Sequence, residues 1–299
     1  MRAGAIALLA PLLAVAQASP GGVYFDDFSQ ADASALVASG WILRGTAGHP
    51  GVPAARWAPE GISLVPDAAL ASNRLLRLRA QTDGTAAGTQ QVQLCHARKL
   101  LYGTYAARLR FSDTPVMGTQ GDPVIQAFYA VAPLRHAYDP RFSEVDWEYL
   151  PNGGWGSPQT RLYGISWQTV RIEPWDALNS AHEEPGPLSG WHVLTMHVQA
   201  DAVRMYLDDR LVARHGGRNV PVQPMALNFS VWFSPTGLLA PTAAPRVWEL
   251  DVDWVFHAQD RTLRPDQVLA EVQRLRASGA ARLDTVPPAV PELSSPCDM

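Results

Sequence analysis

The sequence is poor in the features that grip polyanions, metals or bilayers. Charged residues make up 17% of the chain and the formal net charge is -4, so nothing electrostatic draws it to nucleic acid or to an acidic membrane surface. The eight histidines show neither H-x-x-x-H nor HExxH spacing, which argues against catalytic zinc. Cysteine is scarce. Cys95 and Cys297 are the two in the chain, and their spacing rules out a CxxC zinc site. One disulfide tying the end of the chain to the domain body and two free thiols both remain open. After residue 18 no stretch approaches eighteen consecutive apolar residues, so neither a membrane span nor a membrane partner is expected.

The N-terminus differs. Arg2 precedes an apolar run from Ala5 to Val15, and Ala16, Gln17 and Ala18 form a small-x-small cleavage site. That is the pattern of a secretory signal, giving an exported protein, extracellular or periplasmic; a monomer is expected. With 47% hydrophobic residues, the remainder is able to bury a large core. Period-2 runs recur over residues 74–79, 105–111, 193–198, 203–207, 226–233 and 248–256, separated by Gly, Pro, Asn and Asp turns. This pattern predicts an all-β sandwich. Past residue 258 the apolar positions Val268, Leu269, Val272 and Leu275 take helical spacing, with Pro265 suited to the first turn and Gly279 to the stop. Beyond Asp284, Pro287, Pro288, Pro291 and Pro296 predict an extended tail. The expected organisation is a signal peptide over 1–18, a catalytic β-sandwich over 19–258, and a helical extension with a Pro-rich tail over 259–299.

The segment from Phe142 to Leu150 carries the chemistry. In a strand, Glu144, Asp146 and Glu148 point one way while Val145, Trp147 and Tyr149 point the other. Alternate Cα atoms lie about 6–7 Å apart, so three carboxyl groups stand in a row, which is costly unless something uses them. Taken alone, such a row also suits a solvent-facing acidic edge or a cation site. Set in a cleft, it suits glycoside cleavage, which needs one carboxylate as nucleophile and another kept protonated as acid.

The Glu144-Val-Asp146-Trp-Glu148 motif resembles the E-x-D-x-E signature of glycoside hydrolase family 16, in its uninterrupted-strand form. The flanks agree. Tyr102 to Leu109 resembles the family's Y-G-x-Y-E-A-R-I strand, and Val124 to Tyr129 its V-x-A-F-Y strand. Trp191-His192, Met205 to Val212 and Val252 to Val255 follow in the family's order, so the likeness runs from roughly residue 23 to residue 258. It implies a concanavalin A-like β-jelly roll and retaining, endo-acting hydrolysis of a β-linked polysaccharide. β-1,3- or mixed-linked glucan is favoured, with galactan the next substrate. Glu144 would be the nucleophile, Glu148 the acid and then the base, and Asp146 the residue that tunes both. No cofactor is required. Some members carry a calcium ion on the convex face, to which Asp27 and Asp253 loosely correspond. Three departures stand out: Ala106 replaces the acid of Y-E-A-R, Gly118 to Pro123 replaces a Trp-rich cleft segment, and Tyr149 to Trp155 replaces F-L-G-N. A non-catalytic lectin-like module and a wall-remodelling transglycosylase are the alternatives.

Sugar rings present apolar C–H faces, so exposed aromatic side chains are the expected platforms. Trp155, in a Gly-flanked loop, is the first candidate, with Trp167 and Trp175 in loop-like or short-strand surroundings. Asn152 is placed either to donate to a sugar hydroxyl or to serve its own turn.

Overall fold

A computed structural model describes residues 21–295 and Cys297; the signal-peptide segment lies outside the described residues. Alternation in the sequence becomes two antiparallel sheets laid face to face. In chain order the strands are β1 (Val23–Asp26), β2 (Ile42–Leu43), β3 (Arg56–Trp57), β4 (Ile62–Pro66), β5 (Arg74–Thr82), β6 (Gln90–Cys95), β7 (Gly103–Phe111) and β8 (Val124–Ala132). They continue as β9 (Ser143–Leu150), β10 (Arg161–Arg171), β11 (Asp176–Pro185), β12 (Gly190–Val198), β13 (Ala202–Leu207), β14 (Arg210–Gly216), β15 (Ala226–Phe233), β16 (Arg246–Gln259) and β17 (Arg282–Asp284). A short helix α1 (Ala33–Ala38) follows β1, and α2 (Pro265–Ala277) follows β16.

One sheet runs β2-β6-β15-β8-β9-β10-β11. The other runs β4-β5-β16-β7-β12-β13-β14, with β1 and β17 continuing it beside β16. Between them lies the main core, where Val145, Trp147 and Tyr149 of β9 meet Phe128, Phe229, Leu109 and Met205. Burying large apolar side chains at about 25 cal/mol per Å² is what holds the sheets together. The sandwich and the C-terminal helix agree with the expected fold. Gly279 sits at φ +78 just past α2, the left-handed geometry that suits glycine at a helix stop.

Three features go beyond the sequence expectation or differ from it. Trp167 belongs to an eleven-residue strand, β10, and not to a loop or short strand. β10 is buried on both faces along most of its length, so its sequence carries no clean alternation. α1 is a helix before residue 258, started by the Asp32 side chain accepting from the Ala35 N–H. The C-terminal extension is docked: Val268, Val272 and Leu275 of α2 pack with Phe25, Trp254 and Phe256 on the outer face of the second sheet, and β17 pairs with β1. Cys95 and Cys297 form a disulfide across 202 residues. Among the described residues no helix is long and apolar enough to cross a membrane.

Candidate active site

The register of β9 against its neighbours builds the site. Glu144 lies between Val131 of β8 and Trp167 of β10, Asp146 between Tyr129 and Ile165, and Glu148 between Ala127 and Tyr163. Because Trp147 and its alternates fill the core, the three carboxyls face the other side of the sheet, over a lining that includes Trp57, Tyr129, Tyr163, Ile165, Trp167 and Trp232. Glu144 and Asp146 are buried, at 6% and 2% exposure, and Glu148 is half-buried.

Their surroundings divide the charge unequally. Asp146 Oδ2 accepts from the Trp167 indole N–H at 2.7 Å. Burial pushes the Asp146 carboxyl up to about 7, against the lowering effect of that indole and of the Ile165 backbone. Glu144 is held well above the usual carboxylate range by burial and then by the Asp146 charge. Glu148 is raised well above it too, by burial first, then by Asp146 and Glu144. Like charges in a dry row cannot all ionise together, so the row titrates as a coupled unit. Glu144 Oε2 and Asp146 Oδ1 are buried with no hydrogen-bond partner. Orphaned acceptors of this kind are expensive in a fold and point to a polar ligand.

Aromatic rings flank the row at both ends. At the Glu144 end, Trp167 meets Trp175 edge-on at 6.1 Å, and Trp175 is 55% exposed. At the Glu148 end, Trp155 stands edge-on to Tyr163 at 5.2 Å and 6.4 Å from Trp232. Trp155 is 47% exposed and sits at φ +49, a left-handed conformation that costs a bulky residue free energy. The loop reaches that shape through Gly153, where a Cβ would come within 2.5 Å of the Ser157 carbonyl oxygen. The Asn152 side-chain amide donates to the Asp122 backbone carbonyl at 2.7 Å. Tyr129, Tyr163, Asn228, Ser230 and Trp232 are site residues that were not singled out from the sequence. For the last three, alternation in 226–233 is the signal, because with Leu227, Phe229, Val231 and Phe233 in the core, Asn228, Ser230 and Trp232 must face the cleft.

Asp27 and Asp253 do approach one another, but around an arginine. Arg276 of α2 contacts Asp253 at 2.8 Å and Asp27 at 3.7 Å, while Arg108 and Asn73 take the remaining Asp253 positions at 2.7 and 2.8 Å. This donor set does not fit a calcium ion, since guanidinium groups already supply the positive charge. Among the described residues no group of three or more His, Cys, Asp or Glu side chains is arranged to hold a metal.

Among solved structures, the match to LamA from Zobellia galactanivorans, crystallised with laminaritriose and laminaritetraose, has a TM-score of 0.56 at 16% identity, covering 80% of this chain and 99% of that one. The fold is that of the family 16 glycoside hydrolases. A Bacteroides ovatus mixed-linkage glucan GH16 enzyme, bound to a product, matches at TM-score 0.58 and 12% identity, covering 77% of this chain and 98% of that one. A Mycobacterium tuberculosis protein described as a pseudo β-1,3-glucanase matches at 0.54 and 17% identity, covering 80% and 99%. The likeness is carried by structure: no protein-family model and no curated protein sequence matches the chain.

Proposed function

We propose that the protein is a secreted retaining glycoside hydrolase that cleaves β-linked polysaccharide, with β-1,3- or mixed-linked glucan as its first substrate class. The observation that carries this reading is the buried row Glu144, Asp146, Glu148 with unpartnered oxygens on Glu144 and Asp146, set between exposed Trp155 and Trp175. Once its own carboxyl has given up its proton, Glu144 attacks the anomeric carbon through one oxygen as the glycosidic C–O bond breaks, and Glu148 gives its proton to the departing oxygen. Water then attacks the glycosyl-enzyme, returns a proton to Glu148 and frees Glu144. Asp146 governs both steps. Burial first, then the charges of Asp146 and Glu144, favours the protonated form of Glu148, which suits it to the acid role, while the Trp167 indole holds Asp146 in place. Trp155 stacks on a sugar face, which accounts for an exposed indole held at positive φ. The disulfide supports an oxidising, extracytoplasmic home.

A binding module without turnover is the second reading. It is favoured by the small exposure of Glu144 and Asp146, 6% and 2%. One assay separates the two. The protein is incubated with laminarin, lichenan and agarose-type galactans beside Glu144→Gln, and new reducing ends are counted. Release on a β-glucan that vanishes in the variant is expected. Equal release by both proteins, or none from either beside measurable glycan binding, refutes the hydrolase reading.

A further inference from the structure

The cleft face is unequally covered on the two sides of β9. On β6 and β15, the cleft-facing side chains beside the cover are sealed off, Gln91 1%, Gln93 1%, Cys95 0%, Asn228 0% and Ser230 1% exposed, while Trp232 at the far end of β15 is 8% exposed. On the opposite flank, Asn179, Ala181 and Glu183 of β11, which are in register with Trp167, Ile165 and Tyr163, are open to solvent.

Two segments make the cover. Residues 44–58 leave β2 and fold back over β6. Arg44 lies 4.0 Å above the Trp57 ring and donates to Gln93 Oε1 at 2.8 Å, while Gln91 Oε1 accepts from the Val52 N–H at 3.0 Å. Gln93 in turn donates to Asn228 at 2.9 Å. The amides that a sugar would meet on this side are therefore taken by the protein itself. The tip of the segment reaches far across the sheet, where His49 stacks on Trp175 at 5.7 Å. The path passes the Glu144 end of the row and leaves Glu148 the most accessible carboxylate. The second segment is the C-terminal tail. The Cys95–Cys297 disulfide and the Ser295 hydroxyl, donating to the His96 carbonyl at 2.8 Å, hold it against the face that carries Val131, Ala226 and Asn228. Cys95 pairs with Asn228, Asn228 with Tyr129, and Tyr129 with Asp146. The tail is thus tied down in the Asp146 row, about 14 Å away across three strand spacings.

We infer that the cleft is one-sided. A sugar chain reaches the carboxylates from the β10–β11 flank and stops at the wall made by Arg44, Trp57 and the tail, so the protein engages a β-glucan at a chain end. This departs from the endo action implied by the sequence resemblance, and it rests on the polysaccharide reading of the site.

Binding and turnover test it separately. Glu144→Gln is titrated calorimetrically with linear laminari-oligosaccharides and with a cyclic β-1,3-1,6-glucan, and the wild type is run on long laminarin. Linear chains are expected to bind at least about tenfold more tightly than the ring, a difference of about 1.4 kcal/mol. Hydrolysis is expected to give one short product size from the first minutes with viscosity nearly unchanged. Cys297→Ser, which frees the tail, is expected to gain affinity for the ring. Equal binding of ring and chain, or an early ladder of product sizes, overturns the one-sided cleft and leaves the hydrolase reading standing. Selective binding of linear chains without any hydrolysis does the reverse, and binding of neither overturns both.

Discussion

Replacing Asp146 by Asn should change how stability depends on pH. The Asp146 carboxyl is 2% exposed and is pushed from 3.8 to about 7 by burial. Between those pH values the unfolded chain has lost the proton and the native state still holds it. The native state therefore binds more protons there, and stability falls as pH rises through that window. The contribution is fully present below the unfolded value and gone above about 7. A shift of about three units at 1.36 kcal/mol each sets a ceiling of about 4 kcal/mol. Asn keeps the shape, and its carbonyl oxygen still accepts from Trp167, but it has no proton to lose. Relative to wild type, the variant should gain stability between pH 4 and pH 8. At roughly 2–4 °C per kcal/mol for a chain somewhat smaller than this one, the melting-temperature difference should move by up to about 10 °C, with both proteins measured calorimetrically in matched ionic strength. Two melting curves that stay parallel across the range would refute the raised carboxyl and the charge partition built on it.

The indole that lowers Asp146 should matter in the same experiment. Trp167→Phe removes a hydrogen bond to a charged acceptor worth about 1.5–3 kcal/mol, so the Asp146 transition should move up by about 1–2 pH units, while a uniform destabilisation without that movement would make Trp167 merely a packing residue. Glu148→Gln should lower turnover of β-glucan by about 10²–10⁴-fold; on aryl glycosides whose leaving group needs no proton it should largely spare the first step, seen as a burst of released aryl group, while slowing the second for want of a base, and loss of that burst would place Glu148 outside the acid role. Cys297→Ser should lower stability by about 2–4 kcal/mol in denaturant titration, because the bridge constrains a long loop of the unfolded chain; an unchanged midpoint would contradict this.

Much of this was legible because burial acts on β9 with a period of two. Val145, Trp147 and Tyr149 are apolar, so their alternates had to share the other face, and the structure places all three acids there. β15 was equally readable in outline, yet Asn228, Ser230 and Trp232 go unnoticed without knowing that β8 lies between β15 and β9. The Trp167 bond to Asp146 depends on the β9–β10 register, which no local pattern encodes. β11 escapes for the opposite reason to β10: it is a largely exposed edge strand, so nothing forces apolar residues into alternation. The calcium expectation misplaces a charge, because it cannot foresee that α2 brings Arg276 to Asp253. The cover over β6 is the least legible feature of all. Residues 44–58 contain little regular structure, and their position is set by bonds donated to the Gln91 and Gln93 side chains together with the short β3–β6 pairing.

The most direct measurement of the double displacement is the configuration of the first product. Proton NMR of β-glucan digestion by the wild-type protein, recorded before mutarotation, should show the β-anomer of the new reducing end appearing first. Glu144→Gln should yield no signal under the same conditions. An α-anomer appearing first, or a β-anomer that persists in Glu144→Gln, would contradict Glu144 as the nucleophile.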